Sequence, residues 1–337
     1  FIVHYHKTGA VASGELTTII SNVLAQPCTD DPGPKRYHPP SGCFDYDFES
    51  EPFIRQAGPD FLCNVSEAYP ADVKFFHLMR NPFDLAISSY LYHAEGQEAT
   101  AKWSDDIICQ TNMSTLPQFA QLTGVSLSDL QKVVALCNDL MDSTKGSGTY
   151  LERLQHQPHD IGLRLNTARA TISFGTYHNG PFDTAGTQAI GGGADELRIP
   201  ANVVSLAQLP PGNVFNFYEP QWSDPDQVRS FVADVVDIME PTMAPATKAQ
   251  KEEEIMRLYC ATSPLFNDDC TVAEDPEDHH VTSGELSDEE RQKLLQMLRD
   301  DDVLGPVLLR VEQIVCGTDA ALAGRPEFAA AAKFCPL

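Results

Sequence analysis

Apolar residues along this chain alternate between short dense runs and longer stretches at helical spacing. Phe1 to Tyr5 is an apolar run that reads as a buried strand, and it leads directly into a turn containing Gly9. Beyond it, Leu16, Ile19, Ile20, Val23 and Leu24 recur at the spacing of one helix face. Similar runs predict strands at Phe61 to Val65, Val73 to Met79 and Val214 to Tyr218. Asn81, Pro82 and Asp84 form a helix start: a capping amide, a proline in the first turn and an early acid. That helix should run to about His93.

Further helices are predicted over Leu127 to Met141, over Leu151 to Ile172 with a break at Pro158, and from Val228 to Met239. Ser287-Asp288-Glu289-Glu290 is a capping box opening a helix through Leu298. Two stretches have no period. Asp30 to Asp60 reads as a loop-rich connection, and Gly175 to Glu196, with three consecutive glycines, as a surface loop or a lid. Strands feeding helices in alternation imply an α/β fold, a parallel sheet with helices on both faces.

Composition narrows the partners. The chain has 337 residues and a formal charge of −25. An acidic surface argues against nucleic acid, which is bound by basic surface, and against heavily sulfated polymers. A neutral or cationic acceptor fits better. No apolar run is long enough to span a bilayer, so no transmembrane segment is expected. The chain begins at Phe1 inside an apolar run, which suggests that upstream residues have been removed. The compartment stays open between a Golgi or secretory lumen and the cytoplasm.

The nine cysteines include no Cys-x-x-Cys pair, so a structural zinc site is not expected, whereas Cys260 and Cys270 suit a local disulfide. Asn64-Val65-Ser66 and Asn112-Met113-Ser114 match the glycosylation acceptor pattern. Glu252 to Glu254, Asp268 to Asp278 and the adjacent His279-His280 read as solvated surface.

Two segments carry candidate chemistry. His6-Lys7-Thr8-Gly9 lies between a strand and a helix, where backbone N–H groups and the helix dipole favour an anion. Lys7 adds a mobile charge, Thr8 a hydroxyl, and Gly9 permits close backbone approach. The Lys precedes the Gly, so the order is not that of a Walker A loop. Arg80 ends a predicted strand, and Ser88 lies two helical turns past the Asn81 cap, on the face that returns towards the strand end. A guanidinium fork with a hydroxyl suits a dianionic phosphate.

Together these segments resemble the sulfotransferase family. His6-Lys7-Thr8-Gly9 looks like its 5′-phosphosulfate loop, and Phe75 to Tyr90, with Arg80-Asn81-Pro82, Asp84 and Ser88, like its 3′-phosphate motif. Asn213 to Glu219 resembles the family's late strand ending in Tyr-Glu beside the adenine. The resemblance frames residues 1 to about 240 and implies a P-loop-like three-layer sandwich. About 95 to 211 would be a largely helical acceptor-side insertion, and 241–337 a helical extension of the same domain.

The resemblance implies 3′-phosphoadenosine 5′-phosphosulfate as cofactor, with no metal. Lys7, Thr8, Gly9, Ala10 and Val11 would hold the 5′-phosphosulfate, Arg80 and Ser88 the 3′-phosphate, and Tyr218 the adenosine. Ala10-Val11-Ala12 replaces the family's usual Thr or Ser run, and the Gly-rich closing motif of cytosolic members is missing, which points to a divergent branch. Transfer would be in line, to a hydroxyl or amine of a small molecule or glycan. Lys7 would act on the leaving side. The general base is left between His38 and Glu67, with Asp45, Asp47 and Glu49 behind them. A P-loop small-molecule kinase and a catalytically inactive homologue that still binds nucleotide are the alternatives.

Overall fold

A computed structural model describes residues 2–3, 10–24, 28–29, 35–38, 43–46, 54–57, 74–94, 109, 116–144, 150–172, 195–263, 265–267, 269–273 and 286–335. The chain is α/β and mostly helical, and it divides into two compact units. The first comprises residues 1–39, 43–80 and 208–281; the second comprises 40–42, 81–207 and 282–337.

The first unit holds a parallel sheet. Its strands are β1 (Ile2–Val3), β2 (Cys28–Thr29), β5 (Ile54–Ala57), β6 (Phe75–Met79) and β7 (Val214–Tyr218), in the order β2-β5-β1-β6-β7. The register sets Val3 against His77, and His77 in turn against Asn216. Lys74 fixes one end of the β6–β7 pair by donating to the Gly212 carbonyl and Asn213 Oδ1.

Every residue of β6 is buried, as a strand covered on both faces requires. Its Phe76 and Leu78 join Phe217 and Trp222 in one core. That core is completed by Leu16, Ile20 and Leu24 of α1 (Ala10–Leu24) and by the apolar faces of Pro225–Met239 and Pro245–Thr262. Phe76 stacks on Phe215 at 4.9 Å between ring centres and meets Phe231 edge-on. The apolar periodicities of α1 and of the helix after β7 thus close on one side of the sheet.

The segment from Asp30 to Asp60 departs from its sequence reading. It is not merely loop: besides β5 it contains a hairpin, β3 (Lys35–His38) antiparallel to β4 (Cys43–Tyr46). Strand pairing between residues several positions apart leaves no period in so short a run. The predicted strand at Phe61 to Val65 lies outside the described residues, as do Asn64 and Asn112.

The second unit is helical. Its elements are α2 (Pro82–Ala94), α3 (Leu116–Thr123), α4 (Leu127–Ser143), α5 (Tyr150–Gln155), α6 (His159–Ile172) and α7 (Asp195–Leu206). After the first-unit helices α8 (Pro225–Met239) and α9 (Pro245–Thr262), it resumes with α10 (Asp288–Asp300), α11 (Leu304–Val315) and α12 (Ala331–Phe334). The break at Pro158 is observed, between α5 and α6.

Helix α6 is buried almost all round and packs against α2, α4 and α5. Its Asn166 accepts from the Tyr150 hydroxyl at 2.8 Å, bonds the His93 ring at 2.8 Å and donates to Ser89 Oγ. Such a network keeps polar groups satisfied inside an otherwise apolar bundle. Gly162 sits where a Cβ would lie 2.7 Å from the Tyr90 ring, so the α2–α6 crossing depends on it. No helix among the described residues is long and apolar enough to cross a membrane.

Disulfides join Cys109 to Cys137, Cys260 to Cys270 and Cys316 to Cys335. The first two anchor segments to α4 and α9, and the third holds the C-terminal tail at the end of α11. Cys260 and Cys270 are the local pair suggested by the sequence. Closing a loop of this length reduces the entropy of the unfolded chain by an amount worth about 2.5 kcal/mol. Cys260→Ala with Cys270→Ala should therefore lower stability in urea unfolding by about that much. An unchanged midpoint would show that the pair contributes nothing.

Candidate functional site

The sheet order fixes where ligand chemistry can assemble. From β1 the chain passes through α1 to β2 on one side of the sheet, whereas β6 is followed, after the second unit's helices, by β7 on the other. The connections therefore diverge between β1 and β6, which are hydrogen-bonded neighbours. Open α/β sheets form their binding crevice at the carboxyl ends of strands at such a point. Two sequence-selected segments follow these strands directly: residues 4–9 after β1, and Arg80-Asn81 after β6.

Lys7, Thr8, Gly9 and Glu67 lie outside the described residues. Ala10 and Val11 form the first turn of α1, so their backbone amides belong to a helix N-terminus. His38 is the last residue of β3, paired with Cys43 in the hairpin. Asp45 lies in β4, whereas Asp47 and Glu49 lie outside the described residues.

Arg80 is 8% exposed, and its Nε lies 3.6 Å from Glu219 Oε2. That separation exceeds a hydrogen bond, so the pair is a loose ion pair rather than a locked fork. Glu219 is the more exposed partner. It belongs to the Tyr-Glu end of β7, and its link to Arg80 follows from the β6–β7 pairing, which brings the two strand ends together. The sequence shows Glu219 in a motif but gives no sign of this role.

Tyr218 is fully buried, with no exposed surface, and burial pushes its phenol far above its ordinary range. Its backbone N–H donates to Gln221 Oε1 at 2.7 Å, which turns the chain into the short helix Glu219–Ser223. In this structure the Tyr218 ring is a core group, and the polar surface at the end of β7 comes from Glu219.

His77, the middle residue of β6, is wholly buried. Desolvation holds its ring well below the usual histidine range, at about 3, against a smaller opposing contribution from the Asn216 side chain. It is neutral at physiological pH.

Within the second unit, Asn81 is the cap that the sequence predicts. Its Oδ1 accepts from the Phe83 N–H at 3.0 Å, and its carbonyl begins the helical ladder at Leu85. The same side chain donates through Nδ2 to Glu312 at 2.7 Å. Ser88 is buried on α2 two turns further on. Arg80 belongs to the first unit and Ser88 to the second, so the motif divides at the Arg80–Asn81 bond. Comparison of the chain with protein-family models, with curated proteins and with solved structures gave no match.

Proposed function

We propose that this chain is a sulfotransferase, moving a sulfuryl group from 3′-phosphoadenosine 5′-phosphosulfate to a hydroxyl or amine of a small-molecule or glycan acceptor. One observation carries the reading: the buried Arg80 ends a strand adjacent to the strand that leads into Lys7-Thr8-Gly9. Two anion-binding segments at neighbouring strand ends suit a nucleotide with phosphates at both 3′ and 5′ positions. The parallel sheet with its divergent connections supports the finer assignment to a P-loop-like sandwich.

The donor set fits that nucleotide. Arg80 is buried at the end of β6, and a planar guanidinium suits a phosphate. Ser88 would add a hydroxyl, and the α1 N-terminus would add backbone donors for the 5′ end. When bound, the cofactor supplies an activated sulfuryl group. Lys7 would neutralise charge on the leaving side, and His38 or Glu67 would take the acceptor proton. Tyr218 contributes by shaping the end of β7 rather than through exposed surface.

Three disulfides among the described residues favour an oxidising compartment, and with the glycosylation patterns they support a secretory or Golgi lumen. The acidic chain suits a neutral or cationic acceptor.

Calorimetric titration with 3′-phosphoadenosine 5′-phosphate, with and without magnesium, tests the reading. Metal-independent binding is expected, together with transfer of labelled sulfate to some member of an acceptor panel. Tight, magnesium-dependent ATP binding with no response to the bisphosphate would overturn the sulfotransferase in favour of a kinase. Bisphosphate binding without transfer to any acceptor would indicate an inactive homologue.

A further inference from the structure

The first turn of α2 is held from the far end of the sequence. Glu312 of α11 is buried and accepts from three donors: Asn81 Nδ2 at 2.7 Å, and Arg299 through Nη2 at 2.7 Å and Nη1 at 3.2 Å. Arg299 of α10 lies over the Phe83 ring, 4.3 Å from its centre, and Arg291 of the same helix pairs with Asp84 at 2.7 Å. Residues 81, 83 and 84 are thus each gripped by α10 or α11. Beyond Glu312, Gly317 turns the chain with a positive φ of 65° where a Cβ would strike Phe328, and Cys316 is tied to Cys335. The C-terminal residues build a fixed base for one carboxylate.

That carboxylate decides how the Asn81 side chain stands. With Nδ2 held by Glu312, Oδ1 must face the Phe83 amide, so capping and anchoring use opposite ends of one planar group. We infer that Glu312 is a positioning residue for the α2 part of the 3′-phosphate motif, setting the start of α2 and with it the placement of Ser88. This rests on the reading of Ser88 as a donor to a 3′-phosphate. A carboxylate on the helix cap also keeps its own charge neutralised by Arg299, so it does not repel an anion as a bare glutamate would.

The test compares 3′-phosphoadenosine 5′-phosphate with adenosine 5′-phosphate by calorimetry on the full chain. The ratio of the two affinities isolates the 3′-phosphate. Glu312→Ala should cut that ratio about tenfold while leaving the monophosphate affinity within about twofold, since cap and anchor together are worth about one factor of ten. Glu312→Gln keeps a carbonyl oxygen for Asn81 Nδ2 and should recover most of the ratio. If Glu312→Ala does not fold, Asn81→Ser answers the same question, because it keeps a capping oxygen but loses the bond to Glu312.

A ratio retained in full by Glu312→Ala or Asn81→Ser overturns the inference alone. So does a parallel loss of both affinities, which marks a purely structural role. A wild-type chain that does not prefer the bisphosphate overturns the functional reading, and this inference with it.

Discussion

Arg80→Ala should weaken binding of 3′-phosphoadenosine 5′-phosphate by at least about a hundredfold, because removing one partner of a desolvated charge pair costs several kcal/mol. The guanidinium is buried, so its bonds to a phosphate form where water competes poorly and are correspondingly strong. Its loss also leaves Glu219 facing the ligand without its cation, adding repulsion. Adenosine 5′-phosphate should be affected far less. Arg80→Lys should recover only part of the loss, because an ammonium cannot present a planar fork.

Glu219→Gln provides the opposite sign. The carboxylate competes with the phosphate for Arg80, but it is about one-third exposed and 3.6 Å away, so solvent screens it. Tightening of about threefold is the expected scale for such a pair. Calorimetry on the three variants settles the matter: equal affinity of Arg80→Ala and wild type for the bisphosphate would remove Arg80 from the site.

The second large effect is on stability in acid, and it follows from His77. In the unfolded chain this imidazole titrates near 6.5, whereas in the fold it stays neutral until about 3. Below pH 6.5 the unfolded state therefore binds a proton that the native state refuses. Stability contributed by the neutral ring is complete above 6.5 and falls as pH drops from there towards 3, by about 1.4 kcal/mol per pH unit at most. His77→Gln is neutral throughout and can still bond Asn216. It should be less stable than wild type at pH 7.5, and the gap should close steadily between pH 6.5 and 4. Urea unfolding across that range measures it; parallel curves would show that His77 does not carry the acid response.

Much of the local structure is legible in the sequence. The span of β7, the Asn81 cap, the Pro158 break and the Ser287 capping box all appear where local rules place them, because each is decided by residues within one or two turns of one another. Asp30 to Asp60 is different. Its hairpin pairs β3 with β4 inside the run and β5 pairs with β1 and β2 outside it, and a Pro-, Gly- and Asp-rich run carries no pattern that shows either. The burial of Tyr218 follows the same logic: a strand's last residue can face core or ligand, and only its neighbours decide.

The first candidate for chemistry, the Lys7 loop, marks by itself only a place where an anion could bind. What the sequence determined alone was a set of local devices: helix starts and stops, an Arg at a strand end, and a hydroxyl two turns past a cap. Tertiary structure decided which of them become neighbours. It set the Arg80 strand beside the strand leading to Lys7, gave Arg80 a counter-ion in Glu219, and hung the Asn81 cap on Glu312, 231 residues away. Periodicity and capping report interactions within a few residues, whereas an ion pair or a buried hydrogen bond between distant elements exists only once packing has excluded water from both partners.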